Sequence, residues 1–206
     1  IVNKMNKRKS PKKVIESTEL PGLEEGYVKF TGEEIIPASL PNGRGMTNVY
    51  YDKNKIEREL KKRRADTYHM IHTHPVNVLN DPYPNYPKLP SPGDFNCFLL
   101  HNAIKTMTVA QTNAKTGKLQ GYYVLRKTKD TPKMPGESGG EPLINEYDQC
   151  YYSNKSRNTN PTEYIQRIAE KYKLRHRFIP AKGYELDFKV GTFVKKRGLE
   201  EKLTRV

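Results

Sequence analysis

The sequence predicts a mixed α/β fold, and three observations carry that expectation. Short segments rich in β-branched and aromatic residues alternate with segments of helical period, in the order strands, helix, strand, helix, strands. Two helix starts carry capping signatures, Ser91-Pro92-Gly93-Asp94 and Asn160-Pro161-Thr162-Glu163. Hydrophobic residues make up only 34% of the 206, and the mean hydropathy is −0.88, so one packed domain with polar loops and tails is expected.

Taken in order, residues 1–20 read as a flexible basic N-terminal arm, where only Val14-Ile15-Glu16 hints at a helix. A strand pair is expected over roughly 26–40, turning at Gly32 and returning through Ile35-Ile36-Pro37-Ala38, with a loop at Pro41-Asn42-Gly43-Arg44-Gly45. Asn48-Val49-Tyr50-Tyr51 reads as a further strand. Residues 53–64 read as a helix with only Ile56 and Leu60 as apolar contacts, hence a surface helix. Tyr68-His69-Met70-Ile71-His72-Thr73-His74 reads as a strand ending at Pro75. Residues 76–88, rich in proline, asparagine and tyrosine, read as an ordered surface loop.

Ser91 then opens a helix with Phe95, Cys97, Phe98 and Leu99 on its apolar side. Residues 106–110 and 119–126 form an expected hairpin, turned at Lys115-Thr116-Gly117. The polar segment 127–160 carries Pro132, Pro135, Gly136, Gly139, Gly140 and Pro142, and reads as a loop or insertion. Asn160 opens a helix with Tyr164, Ile165, Ile168, Ala169 and Tyr172 on one side. Arg177-Phe178-Ile179 and residues 186–190 suggest closing strands, and residues 198–205 a short basic helix. The expected organisation is a core over 21–126, with 161–206 completing or extending it.

The net charge is +14, from 37 lysines and arginines against 23 acids. Basic residues cluster in 4–13, Lys61-Lys62-Arg63-Arg64, 171–177 and Lys195-Lys196-Arg197. Such runs suit an acidic partner such as nucleic acid, or simply form a solvated face. No apolar run approaches the eighteen or so residues that cross a bilayer, so no membrane partner is expected. No signal-peptide pattern opens the sequence. Cys97 and Cys150 fit no metal spacing and no disulfide framework, which favours a reducing, cytoplasmic setting. Nothing in the pattern fixes an oligomeric state.

The chemistry concentrates in His72-Thr73-His74-Pro75 and Pro90-Ser91-Pro92-Gly93-Asp94-Phe95. On a strand, residues i and i+2 share a face, so His72 and His74 project together and His69 faces away. Ser91 as N-cap and Pro92 at the first helical position place Asp94 in the first turn. A catalytic zinc takes three protein ligands and keeps a fourth position for water. His72, His74 and Asp94 are the candidate metal ligands, with the Ser91 hydroxyl beside a reacting carbonyl. Each half alone has a plain structural reading, as a packed histidine pair and as a capping box.

Together, in this order, the two halves resemble the JAMM (MPN-plus, JAB domain) zinc metalloprotease family: a distant glutamate, then His-x-His-Pro, then Pro-Ser-x-x-Asp. His72, Thr73, His74, Pro75, Pro90, Ser91 and Asp94 match residue by residue. The resemblance covers residues 21–126. It implies a JAMM/MPN-like (cytidine-deaminase-like) mixed β-sheet flanked by helices, with an additional C-terminal helix and strands. It implies Zn2+ as cofactor, and hydrolysis of an amide or isopeptide bond at the C-terminus of ubiquitin or a ubiquitin-like protein substrate. One departure is the sixteen residues between His74 and Ser91, more than the family usually has. That extra length would lie at the rim of the site and control substrate entry.

The family also requires a glutamate on an earlier strand as general base. Glu25 stands seven residues before Gly32, the family's glutamate-to-glycine spacing, and forty-seven before His72. Glu24 is the fallback, and Glu33 and Glu34 lie at the hairpin tip. By the resemblance, Glu25 moves the proton and Ser91 stabilises the oxyanion. Two competing readings share the fold: a non-catalytic MPN-type scaffold inside a larger assembly, and a nucleic-acid-associated protein like the bacterial DNA-repair-associated branch.

Overall fold

The computed structural model describes residues 22–45, 49–76, 89–134, 145, 149 and 160–196. Its elements run β1 Gly26–Lys29, β2 Ile35–Pro37, β3 Ser39–Arg44, β4 Val49–Tyr51, α1 Lys53–Arg63, β5 Tyr68–Val76, α2 Pro92–Leu100, β6 Ile104–Asn113, β7 Leu119–Lys127, α3 Pro161–Lys171, β8 Leu174–Pro180, β9 Tyr184–Asp187 and β10 Thr192–Lys195. The fold is mixed α/β.

Six strands form the main sheet in the order β2-β1-β5-β6-β7-β8. Only β5 and β6 pair in parallel, and a parallel pair needs a crossover, which α2 supplies. That crossover fixes the site, because it brings the first turn of α2 back over the strand that carries the histidines. The β6–β7 hairpin turns where Asn113 Oδ1 accepts from the backbone N–H groups of Lys115 and Thr116, and Gly117 takes φ 65°.

Helix α1 starts where Asp52 Oδ1 accepts from Lys55 N and stops at Arg64 in the left-handed region. Its Ile56 is buried and Leu60 packs beside it, so its remaining length stays at the surface. The cap of α3 is an Asn160 turn, with Oδ1 accepting from the N–H and hydroxyl of Thr162.

The main core lies on one face of the sheet. Val28, Met70, Met107, Val109, Tyr123 and Leu125 pack there with Phe95, Phe98 and Leu99 of α2 and Ile165, Ile168 and Ala169 of α3. The C-terminal helix thus shares its core with the segment 22–126. Phe95 and Phe98 are fully buried, so truncating either to alanine should cost about 3–5 kcal/mol. A smaller cluster of Tyr27, Ile35, Ile71, Ala110 and Leu119 lies on the opposite face.

Several expectations are corrected. Residues 41–44 belong to strand β3, not to a loop. They pair with β4 in an irregular register, and Gly43 lets the ribbon close, because a Cβ there would stand 2.9 Å from the Cβ atoms of Leu40 and Tyr50. Strand β5 runs through Pro75 to Val76. Thr73 N donates to Glu25 O, so the N–H groups of Ile71 and Thr73 point towards β1. Position 75 has the same parity but lies beyond the start of β1, and the missing donor breaks no ladder bond, while Pro75 still pairs with Thr112 across β6.

Strand β10 was not legible either. Phe193 is locked by Gln111, whose Oε1 accepts from Phe193 N and whose Nε2 donates to Phe193 O, and its ring sits where a side chain at Gly121 would stand. Within the expected polar insertion, Asn145 and Gln149 are helical. The basic arm 1–20, the proline-rich stretch beyond Val76 and the expected helix 198–205 fall outside the described residues. No described helix is long and apolar enough to cross a membrane.

Candidate metal centre

The pairing of β1 with β5 sets Gly26 opposite His72. Alternation then sends His72 and His74 to the core face with Met70, and His69 to the other face with Ile71. His72 Nε2 and His74 Nε2 stand 3.1 Å apart. Asp94, in the first turn of α2, reaches the same point, with Oδ1 3.1 Å from His72 Nε2 and Oδ2 3.5 Å from His74 Nε2.

The donor set fits a metal ion. A tetrahedral ion bound at about 2.0–2.2 Å holds its donor atoms about 3.3–3.6 Å apart. His72 Nε2 stands 3.1 Å from both His74 Nε2 and Asp94 Oδ1, a little inside that edge, while the 3.5 Å approach to His74 is made by the other carboxylate oxygen, Oδ2. Both histidines are buried and Asp94 is half-buried, so the three donors face one another and not bulk water. His72 Nδ1 is buried with no hydrogen-bond partner, so the polar contacts of that ring are made from its Nε2 side.

Ser91 aims the carboxylate. Its N–H donates to Asp94 Oδ2 at 2.6 Å and its hydroxyl donates to the same oxygen at 2.9 Å, while Oγ accepts from Asp94 N at 3.1 Å. The capping box starts the helix and also directs Oδ1 at His72. Burial alone would favour the neutral acid at Asp94. His72, then His74 and the Ser91 N–H, outweigh it and hold the carboxyl well below the usual range. The Ser91 hydroxyl proton is directed at Asp94 and not at open space.

The structure does not bring Glu25 to the histidines. Its side chain lies on the face of Ile71 and Thr73, where Oε2 accepts from the Tyr27 hydroxyl and Oε1 pairs with Arg44 Nη1 at 3.3 Å. Its backbone N–H donates to Thr73 Oγ1 at 2.9 Å. Glu24 is the glutamate that lies beside the histidines. Continuing the register from Gly26 opposite His72 puts Glu24 opposite His74, and its Oε1 stands 3.7 Å from His74 Nε2. Glu24 N donates to Gly45 O at 2.7 Å, which anchors the residue just before β1. The two glutamates differ by one residue, and on an extended chain one residue is the whole difference between faces.

Sequence reasoning also missed Tyr51, which floors the site. A Cβ at Gly26 would stand 2.9 Å from the Tyr51 ring, so glycine there is what admits the ring. The Tyr51 hydroxyl donates to Ile71 O at 2.8 Å. Burial, then the neighbouring Cys97 and Asp94, push its phenol well above the ordinary value, so it stays neutral. Cys97, one turn beyond Asp94, is pushed up to about 11, first by burial and then by Asp94, and remains a thiol. The one sequence signal for Tyr51 is a glycine inside a strand, which marks a close approach.

No protein-family model matches this chain, and neither the curated proteins nor the solved structures include a match to it. What its own residues assemble is a buried His-His-Asp group able to hold a metal ion, with a carboxylate beside it.

Proposed function

We propose that this protein is a zinc-dependent hydrolase of amide or isopeptide bonds in protein substrates, of the JAMM type that its motifs resemble. The observation that carries the reading is the convergence of His72, His74 and Asp94, whose ligand atoms lie within 4.8 Å of one another, with Glu24 beside them. A zinc ion held by His72, His74 and Asp94 would supply Lewis acidity, lowering the pKa of a water and polarising the scissile carbonyl.

The chain's own residues do the rest. Glu24 accepts the proton of the attacking water and returns it to the leaving nitrogen, so that amide and water become acid and amine. Asp94 stays ionised under the hold of Ser91. The N-terminus of α2, with Ser91 as its cap, turns its positive end to the carbonyl oxygen as charge develops there. The resemblance, and not the donor set, supplies the C-terminal tail of a ubiquitin-like protein as the acyl side of the bond.

The test is cleavage of an isopeptide-linked ubiquitin-like pair and of a short fluorogenic amide, each with zinc and with a chelator. Cleavage that depends on zinc, and that Glu24→Gln abolishes, is expected. Zinc uptake without cleavage of either substrate would make the chain a metal-bearing scaffold of this fold.

A further inference from the structure

We infer that the basic groove at the far end of the sheet from the histidines is a binding site for the phosphodiester backbone of nucleic acid. The groove has a volume of about 970 Å³ and lies where β5 and β6 begin and β7 ends. From Thr67 on its wall to His74 the chain runs roughly 20 Å along β5, so the two sites are separate. This inference does not rest on the metal reading.

Two of the groove's cations, Arg126 and Arg175, stand in one cross-strand row that the sheet register sets and that continues beyond the groove. Lys29, His69, Thr106, Arg126 and Arg175 are successive cross-strand partners on β1, β5, β6, β7 and β8. At about 4.8 Å per strand the row spans roughly 19 Å. Lys105, Lys129, Lys133 and Lys173 add to the two arginines around the groove, against two acids, Asp130 and Glu170. Among the described residues none of these cations makes an ion pair. Arg126 and Arg175 stand directly opposite each other, a placement of like charges that destabilises a sheet. His69 feels the same field: burial first, then Lys29, Lys105 and Arg126, lower its pKa. An extended anion would offset the repulsion among these cations.

The floor of the groove is preformed. The hydroxyls of Thr128 and Thr131 both donate to Lys173 O, at 2.8 and 3.2 Å, and so fasten the turn after β7 to the end of α3. Lys127 is committed elsewhere, donating to His101 O at 2.8 Å and lying over the Phe98 ring. No aromatic side chain lines the groove among the described residues. Base stacking has no platform there, so recognition falls on phosphates and not on sequence.

The test measures binding of a short fluorescein-labelled DNA duplex to the full chain by anisotropy, over a series of salt concentrations. The triple variant Lys105→Ala/Arg126→Ala/Arg175→Ala should weaken binding by about tenfold or more. It should also flatten the log–log salt slope by about 2 to 3, at roughly 0.9 for each phosphate that is no longer neutralised. The control Arg58→Ala/Lys61→Ala/Lys62→Ala removes the same charge from the exposed side of α1 and should change both quantities much less. Equal losses in the two triples would overturn the groove as the site and leave only general attraction by net charge. No binding of the duplex at low salt would overturn nucleic acid as the ligand. A thermal melt of each variant, unchanged or raised, excludes misfolding as the cause.

Discussion

Helix α2 joins two ends of the molecule that treat charge in opposite ways. At its N-terminus, His72 and His74 are buried, Asp94 and Ser91 are partly buried, and the four are linked by contacts within 3.5 Å. Near its C-terminus, Lys105, Arg126 and Arg175 are exposed and make no ion pair among the described residues. The difference follows from burial. A buried charge must find its partners as the chain folds, because leaving one unpaired is expensive. An exposed cation is screened by water and can await a ligand. Losing one member should therefore be severe at the first end and mild, or even stabilising, at the second.

The largest effects should come from the buried end. His72→Ala should lose metal and turnover together, by elemental analysis and peptidase assay. Glu24→Gln should keep the metal and lower turnover by about 10²–10⁴-fold, because only the proton acceptor is removed. Glu25→Gln should leave turnover near wild type, since its side chain serves Tyr27 and Arg44 on the other face. A dead Glu25→Gln beside an active Glu24→Gln would reverse the assignment of the base.

A smaller loss should follow at the cap. Ser91→Ala removes the hydroxyl that aims Asp94 and should weaken metal binding by about 10–100-fold. The same change should cost about 1 kcal/mol of stability through the lost N-cap. Loss of stability with unchanged metal affinity would confine Ser91 to starting the helix.

At the exposed end the sign should change. Arg126→Ala relieves the repulsion with Arg175 and should raise stability by about 0.2–1 kcal/mol, read as a shift in the urea midpoint at constant slope. A fall would show that the opposed arginines are already compensated.

The smallest effect concerns His69. Its folded-state pKa lies below the ordinary 6.5, so just below pH 6.5 the unfolded chain binds more protons than the folded one. Stability should therefore fall as pH drops through 6.5 and level off below the folded value. His69→Gln should remove that slope, seen as parallel stability curves above pH 6.5 and a wild type that loses stability relative to the variant below it. An unchanged slope would place the titration elsewhere.

What could be read from the sequence tracks the range of the interactions. The histidine pair and the Ser91 cap are set by spacings of two and three residues, and their local geometry appears as the periodicities imply. The choice between Glu24 and Glu25 depends on how β1 docks on β5, and Tyr51 over Gly26 helps set that docking from another segment. No window around the glutamates contains that information. Strand β3 read as a loop because its proline and glycine suit turns, yet pairing with β4 overrides them. The row from Lys29 to Arg175 was invisible for the same reason. Its members come from five strands, and only the register lines them up.

The most direct measurement is the zinc content of the purified chain, by elemental analysis after equilibration with zinc and removal of the excess. About one zinc per wild-type chain is expected, with the same content in Glu24→Gln and none in His72→Ala or Asp94→Ala. No retained zinc in the folded wild-type protein, or equal zinc in wild type and His72→Ala, would contradict a metal centre at His72, His74 and Asp94.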